Sequence, residues 1–130
     1  EGLAAALAAE RITNEELENL ERQYVKSVEQ MEKADLKGMV EVDTGFHQLL
    51  YQASRNERLA QIINNLREQI QVFRQTSLSY PGRMKVALKE HRKIVDAIWA
   101  RDPETARRLA QEHIENAESS MMKVIRAEKQ

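Results

Sequence analysis

Apolar residues recur along this chain at steps of three and four, the spacing that gathers side chains onto one face of an α-helix, and the pattern predicts six helices. A short Ala-rich segment covers about residues 2–10. Thr13-Asn14-Glu15-Glu16 reads as a capping box, in which Thr13 caps a backbone N–H and Glu16 reaches back. It opens a second helix to about Lys33, with Leu17, Leu20, Tyr24, Val28 and Met31 on one face. Asp35 is placed to cap a third helix, to about Ala53. Ser54-Arg55-Asn56 breaks the pattern, and Asn56 can cap a fourth, whose stripe is Leu59, Ile62, Ile63, Leu66, Ile70 and Phe73. Residues 77–82, with Pro81-Gly82, form the clearest loop. A fifth helix spans about Arg83 to Ala100. Asp102-Pro103, a cap followed by proline at the first helical position, starts a sixth that runs to near the C-terminus. No strand alternation, internal repeat or domain-splitting linker is visible. The fold expected is all-α: a six-helix antiparallel bundle, joined by short connections.

Three of these stripes are interrupted by polar residues. On the third helix Leu36, Val40, Asp43, His47 and Leu50 share one face. On the fifth the ladder is Met84, Leu88, His91, Val95 and Ile98. On the sixth it is Ala106, Ala110, His113, Ala117 and Met121. These three histidines are all that the chain has. Asp43 lies one helical turn before His47, so the two side chains are neighbours. A buried polar group without a partner costs roughly 1–3 kcal/mol, and four of them in one small core call for a shared partner.

A divalent cation fits this set. Neutral imidazole suits zinc and other late first-row ions, and one carboxylate offsets part of the charge. Zinc is the first choice, with nickel or manganese as alternatives. An ion preferring five or six ligands would keep positions open for water or a small anion, whereas a structural zinc site closes at four. A single core histidine is more often an ordinary hydrogen-bonded residue, and a lone Asp-x-x-x-His arises easily by chance. The joint pattern points to metal, since no histidine is left for a polar face.

Softer candidates surround these four. Arg67 and Arg74 flank the apolar stripe of the fourth helix, where a guanidinium could pair with a carboxylate ligand. Tyr51 lies one turn beyond His47, and Asn116 one turn beyond His113. Arg83 follows the loop. Trp99 reads as packing or interface. Glu90, next to His91, is expected to point elsewhere, and no further carboxylate is placed on an inward face.

Composition narrows the class. The 130 residues suit a single domain, 1–130, large enough for its own core, and hydrophobic residues make up 42% and charged residues 32%. A net charge of −1 argues against nucleic-acid binding by this chain itself. No apolar run approaches a membrane span, and no signal peptide is recognised. The absence of cysteine excludes disulfides and thiolate ligands and suits a cytoplasmic setting. The chain opens Glu1-Gly2-Leu3 without an initiator methionine, which reads as a domain cut from a longer protein.

The residues resemble the FCD domain, the C-terminal effector-binding domain of FadR-type, GntR-family bacterial transcription regulators. Leu7-Ala8-Ala9 and Thr13 to Leu20 look like its opening helices, and Asp43-Thr44-Gly45-Phe46-His47 like its Asp-x-x-Phe-His signature. Asn56-Glu57-Arg58-Leu59 looks like its Asn-x-x-Leu helix start. Glu90-His91 with Ile94, Ala97-Ile98 and Asp102, and then Ala106 and His113-Ile114, match its later helices. The spacing of 44 residues from His47 to His91 and 22 to His113 is similar to the family's. Six helices rather than seven resemble the shorter, VanR-like branch.

The resemblance implies a metal in a central cavity, held by Asp43, His47, His91 and His113, and a small organic-acid effector beside it. Arg67, Arg74, Asn116 and Tyr51 are the candidate effector contacts. It implies a homodimer, and DNA binding only through a winged helix-turn-helix domain N-terminal to Glu1. No catalysis is expected. The alternative is a metal-dependent hydrolase, in which the cation would lower the pKa of a bound water; a bundle with ordinary core histidines is a further rival.

Overall fold

A computed structural model describes residues 1–33 and 35–128. Seven helices follow one another: α1 (Gly2–Arg11), α2 (Asn14–Glu32), α3 (Leu36–Ser54), α4 (Glu57–Asn65), α5 (Arg67–Leu78), α6 (Arg83–Trp99) and α7 (Pro103–Glu128). Among the described residues there is no strand.

The caps lie where the sequence puts them. Thr13 and Glu16 exchange both bonds of a capping box. Asp35 accepts from the Gly38 N–H, Asn56 from that of Leu59 and Asp102 from that of Thr105. Gly82 precedes α6 in the left-handed region, at φ 83°, a conformation that glycine adopts without a Cβ penalty.

The expected count of six helices is corrected to seven. Residues 57–78 do not form one helix, because the backbone leaves helical geometry at Leu66 (φ −101°, ψ 11°). Leu66 closes α4 and precedes α5, and the count that suggested the VanR-like branch does not hold. The expected stripe is also not buried as drawn: α4 buries none of its residues, and Ile62 and Leu66 are about half exposed. Asn64 and Asn65, both weak helix formers, stand immediately before the break.

Two apolar clusters hold the remainder. The larger joins α1, α2, α3, α6 and α7 through Ala5, Ala8, Leu17, Leu20, Phe46, Leu50, Ile94 and Ile98, among others. Alanines let α1 lie close to its neighbours α7 and α3. A smaller cluster of Met39, Val40, Leu78, Ala87 and Leu88 receives Tyr24, Val28 and Met31 from α2. The two clusters clamp α3 and α6, and α7 packs on α1, α5 and α6. The mid-lengths of α3, α6 and α7 are thereby brought together.

Candidate metal centre

Asp43 and His47 come from α3, His91 from α6 and His113 from α7, and all four are buried. Each offers one ligand atom, and the four atoms lie within 4.8 Å of one another. His91 Nε2 is 3.2 Å from both Asp43 Oδ1 and His113 Nε2. His47 Nε2 is 3.4 Å from the same Asp43 oxygen. Despite these short approaches, Asp43 Oδ1 has no partner with hydrogen-bond geometry. A buried carboxylate oxygen in that condition is costly. His91 Nε2 and His113 Nε2 are within hydrogen-bonding geometry of each other, but the carboxylate oxygen between the rings is left over, and four donor atoms this close suit a shared cation.

The backs of two rings are held by carboxylates. The His113 Nδ1–H donates to Glu90 Oε1 at 2.6 Å. Glu90 also accepts two bonds from Arg83, at 2.7 and 3.1 Å, and one from Asn116 Nδ2 at 2.8 Å. The His47 Nδ1–H donates to Glu1 Oε2 at 2.9 Å, and Tyr51 Oη also bonds the Glu1 carboxylate. With Nδ1 committed to a carboxylate, the inward Nε2 is the nitrogen free to ligate, and the ring is fixed in orientation. The His91 ring lies stacked on Phe46, with centroids 4.3 Å apart and 12° between planes. Its buried Nδ1 has no partner.

Charge follows the same geometry. Burial alone would raise the Asp43 carboxyl, but His47 and His91 hold it well below the usual carboxylate range. Burial likewise opposes ionisation of Glu1, and His47 overcomes it, lowering Glu1 to about 2. Burial pushes His47 down, while Glu1 and Asp43 carry it up to about 9. His91 is lowered to about 4, chiefly by burial. Glu90, despite its desolvation, is lowered to about 2 by His113 and Arg83. Metal ligation requires the inward nitrogens to be deprotonated, and two flanking carboxylates raise the basicity of the rings that carry them.

A cavity of about 320 Å3 opens beside the cluster. Asp43, His47 and His113 line it, as do Tyr51 and Arg74. Arg74 is buried and loosely held, at 3.6 Å from Asp43 Oδ2, 3.3 Å from Thr44 Oγ1 and 3.4 Å from Tyr51 Oη. Arg67 is exposed and lines a neighbouring pocket of about 250 Å3 with Gln48, Gln52 and Asn64. Asn116 reaches the site only through Glu90. Trp99 is 45% exposed.

Two expectations are corrected here. Glu90 does not point away: it is the partner of His113. Glu1 is a further inward carboxylate. The Arg83–Glu90 spacing of seven residues, two turns on one helical face, was a readable sign of the first. Nothing in the first residues signals the second, because the partners of Glu1 lie 46 and 50 positions away.

The family described as the FCD domain matches residues 1–116. The chain is 26% identical over 120 residues to the HTH-type transcriptional repressor RspR of Escherichia coli strain K12, covering 92% of this chain and 53% of that protein. It is 29% identical over 112 residues to the HTH-type transcriptional regulator YdhC of Bacillus subtilis strain 168, covering 82% of this chain and 48% of that one. The chain thus spans about half the length of the curated relatives it matches. Among solved structures it resembles McbR/YncC of E. coli, with a TM-score of 0.84 at 21% identity, over 94% of this chain and 62% of the other.

Proposed function

This chain belongs to the FCD domain family of GntR-type transcription regulators, and on that premise we propose that it is a metal-containing sensor for a small carboxylate effector. Asp43, His47, His91 and His113 hold one divalent cation. The single observation that carries this is Asp43 Oδ1, buried and unpartnered amid three inward-facing imidazole nitrogens. When bound, the cation supplies positive charge and open coordination positions.

Of the four effector contacts expected, two face the cavity. Arg74 is poised for an effector carboxylate because its present bonds are long, and Tyr51 adds a hydroxyl. Asn116 acts through Glu90, and Arg67 stands outside the cavity. An effector seated between α3, α5 and α7 changes the packing of these helices only to the extent that it favours one arrangement over another. In the whole regulator that change passes to an N-terminal helix-turn-helix domain, and a homodimer suits an operator of two half-sites. The chain's role is regulatory, and none of its residues is assigned a catalytic step.

The test is elemental analysis of the purified protein beside a chelator-treated control reloaded with zinc. About one ion per chain is expected for the parent. His91→Ala should weaken zinc binding beyond the roughly 10–100-fold typical of losing an outer partner. Equal affinity of His91→Ala and parent would overturn the assignment.

A further inference from the structure

We propose that the effector is a monocarboxylate with an apolar body of about phenylacetate size, and that α4 and α5 recognise that body. This rests on the sensor reading above and adds the chemical class of its ligand.

The first argument is the unburied face of α4. Its contributions to the cavity are Leu59 and Ile63, both half-buried, and it buries no residue against the protein. The neighbouring α5 adds Ile70 and Phe73, also half-buried, and α7 adds Ile114. Apolar side chains from three helices therefore meet in a space without closing on one another. An amphipathic helix takes its stability from burying its apolar stripe. A ligand with apolar surface completes that burial, and a ligand polar throughout does not.

The second argument is charge. Glu1 and Asp43 put two carboxylates on the cavity wall, against two guanidiniums, Arg74 and Arg83. Arg83 is committed to Glu90 through two bonds and also donates to the His113 carbonyl at 3.3 Å. Arg74 is held only by contacts of 3.3 Å or more. The cavity thus offers one loosely held guanidinium for one anionic head. With the cation in place, its two positive charges and those of Arg74 and Arg83 exceed the three carboxylates of Glu1, Asp43 and Glu90 by one, so one anionic head balances the site and a second leaves uncompensated buried negative charge.

The third argument is size. At about 320 Å3 the cavity stands at the small end of ligand pockets, which run from roughly 300 to 1,000 Å3, and this suits a small acid over a long-chain one.

Isothermal titration calorimetry on the zinc-loaded protein decides the matter, with phenylacetate and octanoate compared against succinate and glutarate. The monoacids should bind more tightly than the diacids by more than about tenfold, with a negative heat-capacity change from apolar burial. Ile63→Asn and Leu59→Asn, at half-buried sites, should each weaken octanoate several-fold and leave zinc content at the parent level. Arg74→Gln should weaken both classes of acid. Diacids binding as well as monoacids, or full octanoate affinity in both α4 variants, would overturn the proposal and leave the sensor reading standing. If no acid binds the loaded protein, both fall; if the protein takes up no zinc, the metal reading falls, and the ranking of the same acids on the metal-free protein decides this proposal.

Discussion

Helices α1, α2, α3, α6 and α7 close on a core of alanines and large apolar side chains, from Ala5, Ala8 and Leu20 to Phe46, Leu50, Ile94 and Ile98. Across the molecule, α4 has no fully buried residue and packs chiefly on α3 and α5. The metal-ligand candidates all come from the packed side; α4 supplies only apolar side chains to the cavity. The contrast is between a closely packed side and a loosely packed wall, and the proposed function assigns the metal to the first and the effector's apolar body to the second. Ligand atoms need helices that do not move, and close packing supplies them. A wall that changes with occupancy must come from the low-stability part of the fold, where few apolar contacts are made.

The largest effects should separate the two sides directly. Leu20, fully buried in the larger cluster, should cost roughly 2–5 kcal/mol when cut to alanine. Leu59→Ala, on the open wall, should cost less than about 1 kcal/mol, as substitutions away from a packed core do. Chemical denaturation of both variants checks this. Comparable losses would mean that α4 is as firmly built in as α2.

A middle-sized effect should come from Glu90, which joins the packed side to the proposed metal centre through His113. Glu90→Gln keeps a hydrogen-bond acceptor for His113 Nδ1 and removes the charge. Zinc affinity, measured by competition with a chromophoric chelator, should fall by about tenfold or somewhat more. Unchanged affinity would make Glu90 a mere partner of Arg83.

The smallest effect lies at the start of α2, far from either contrast. Glu16 sits below its ordinary value of 4.5, because the Thr13 cap and the Arg55 guanidinium outweigh its desolvation. A carboxyl lowered by folding adds stability above its unfolded pKa, and that stability is lost as pH falls through the folded one. Thermal melts should therefore show Glu16→Gln losing less stability than the parent between pH 5 and pH 3, by under about 1 kcal/mol because the pair is half open to water. An identical acid dependence in parent and variant would show that the capping box, not the charge, carries the contact.

Much of this was legible in the residues. The four helix caps at Thr13, Asp35, Asn56 and Asp102 form as read, because capping depends on side chains only three positions apart. The convergence of Asp43, His47, His91 and His113 was readable from periodicity, since each replaces a residue on its helix's apolar face. The break at Leu66 was not readable: an apolar stripe continues through it at helical spacing, and periodicity does not see the two asparagines as a stop. Glu90 was misjudged because adjacency to His91 in sequence says nothing about which neighbouring helix it meets. Glu1 and its partners are separated by most of the first three helices.

Periodicity and caps thus determined, from the chain alone, that it is helical, where its capped helices begin, and which faces of α3, α6 and α7 turn inward; these are local properties of φ/ψ preference and 3.6-residue repeat. The tertiary structure alone decided which carboxylate stands behind which imidazole, which arginine is left loosely held, and that α4 faces a cavity instead of a core. Those depend on distances between residues 20 to 50 positions apart, which packing sets and no local pattern encodes.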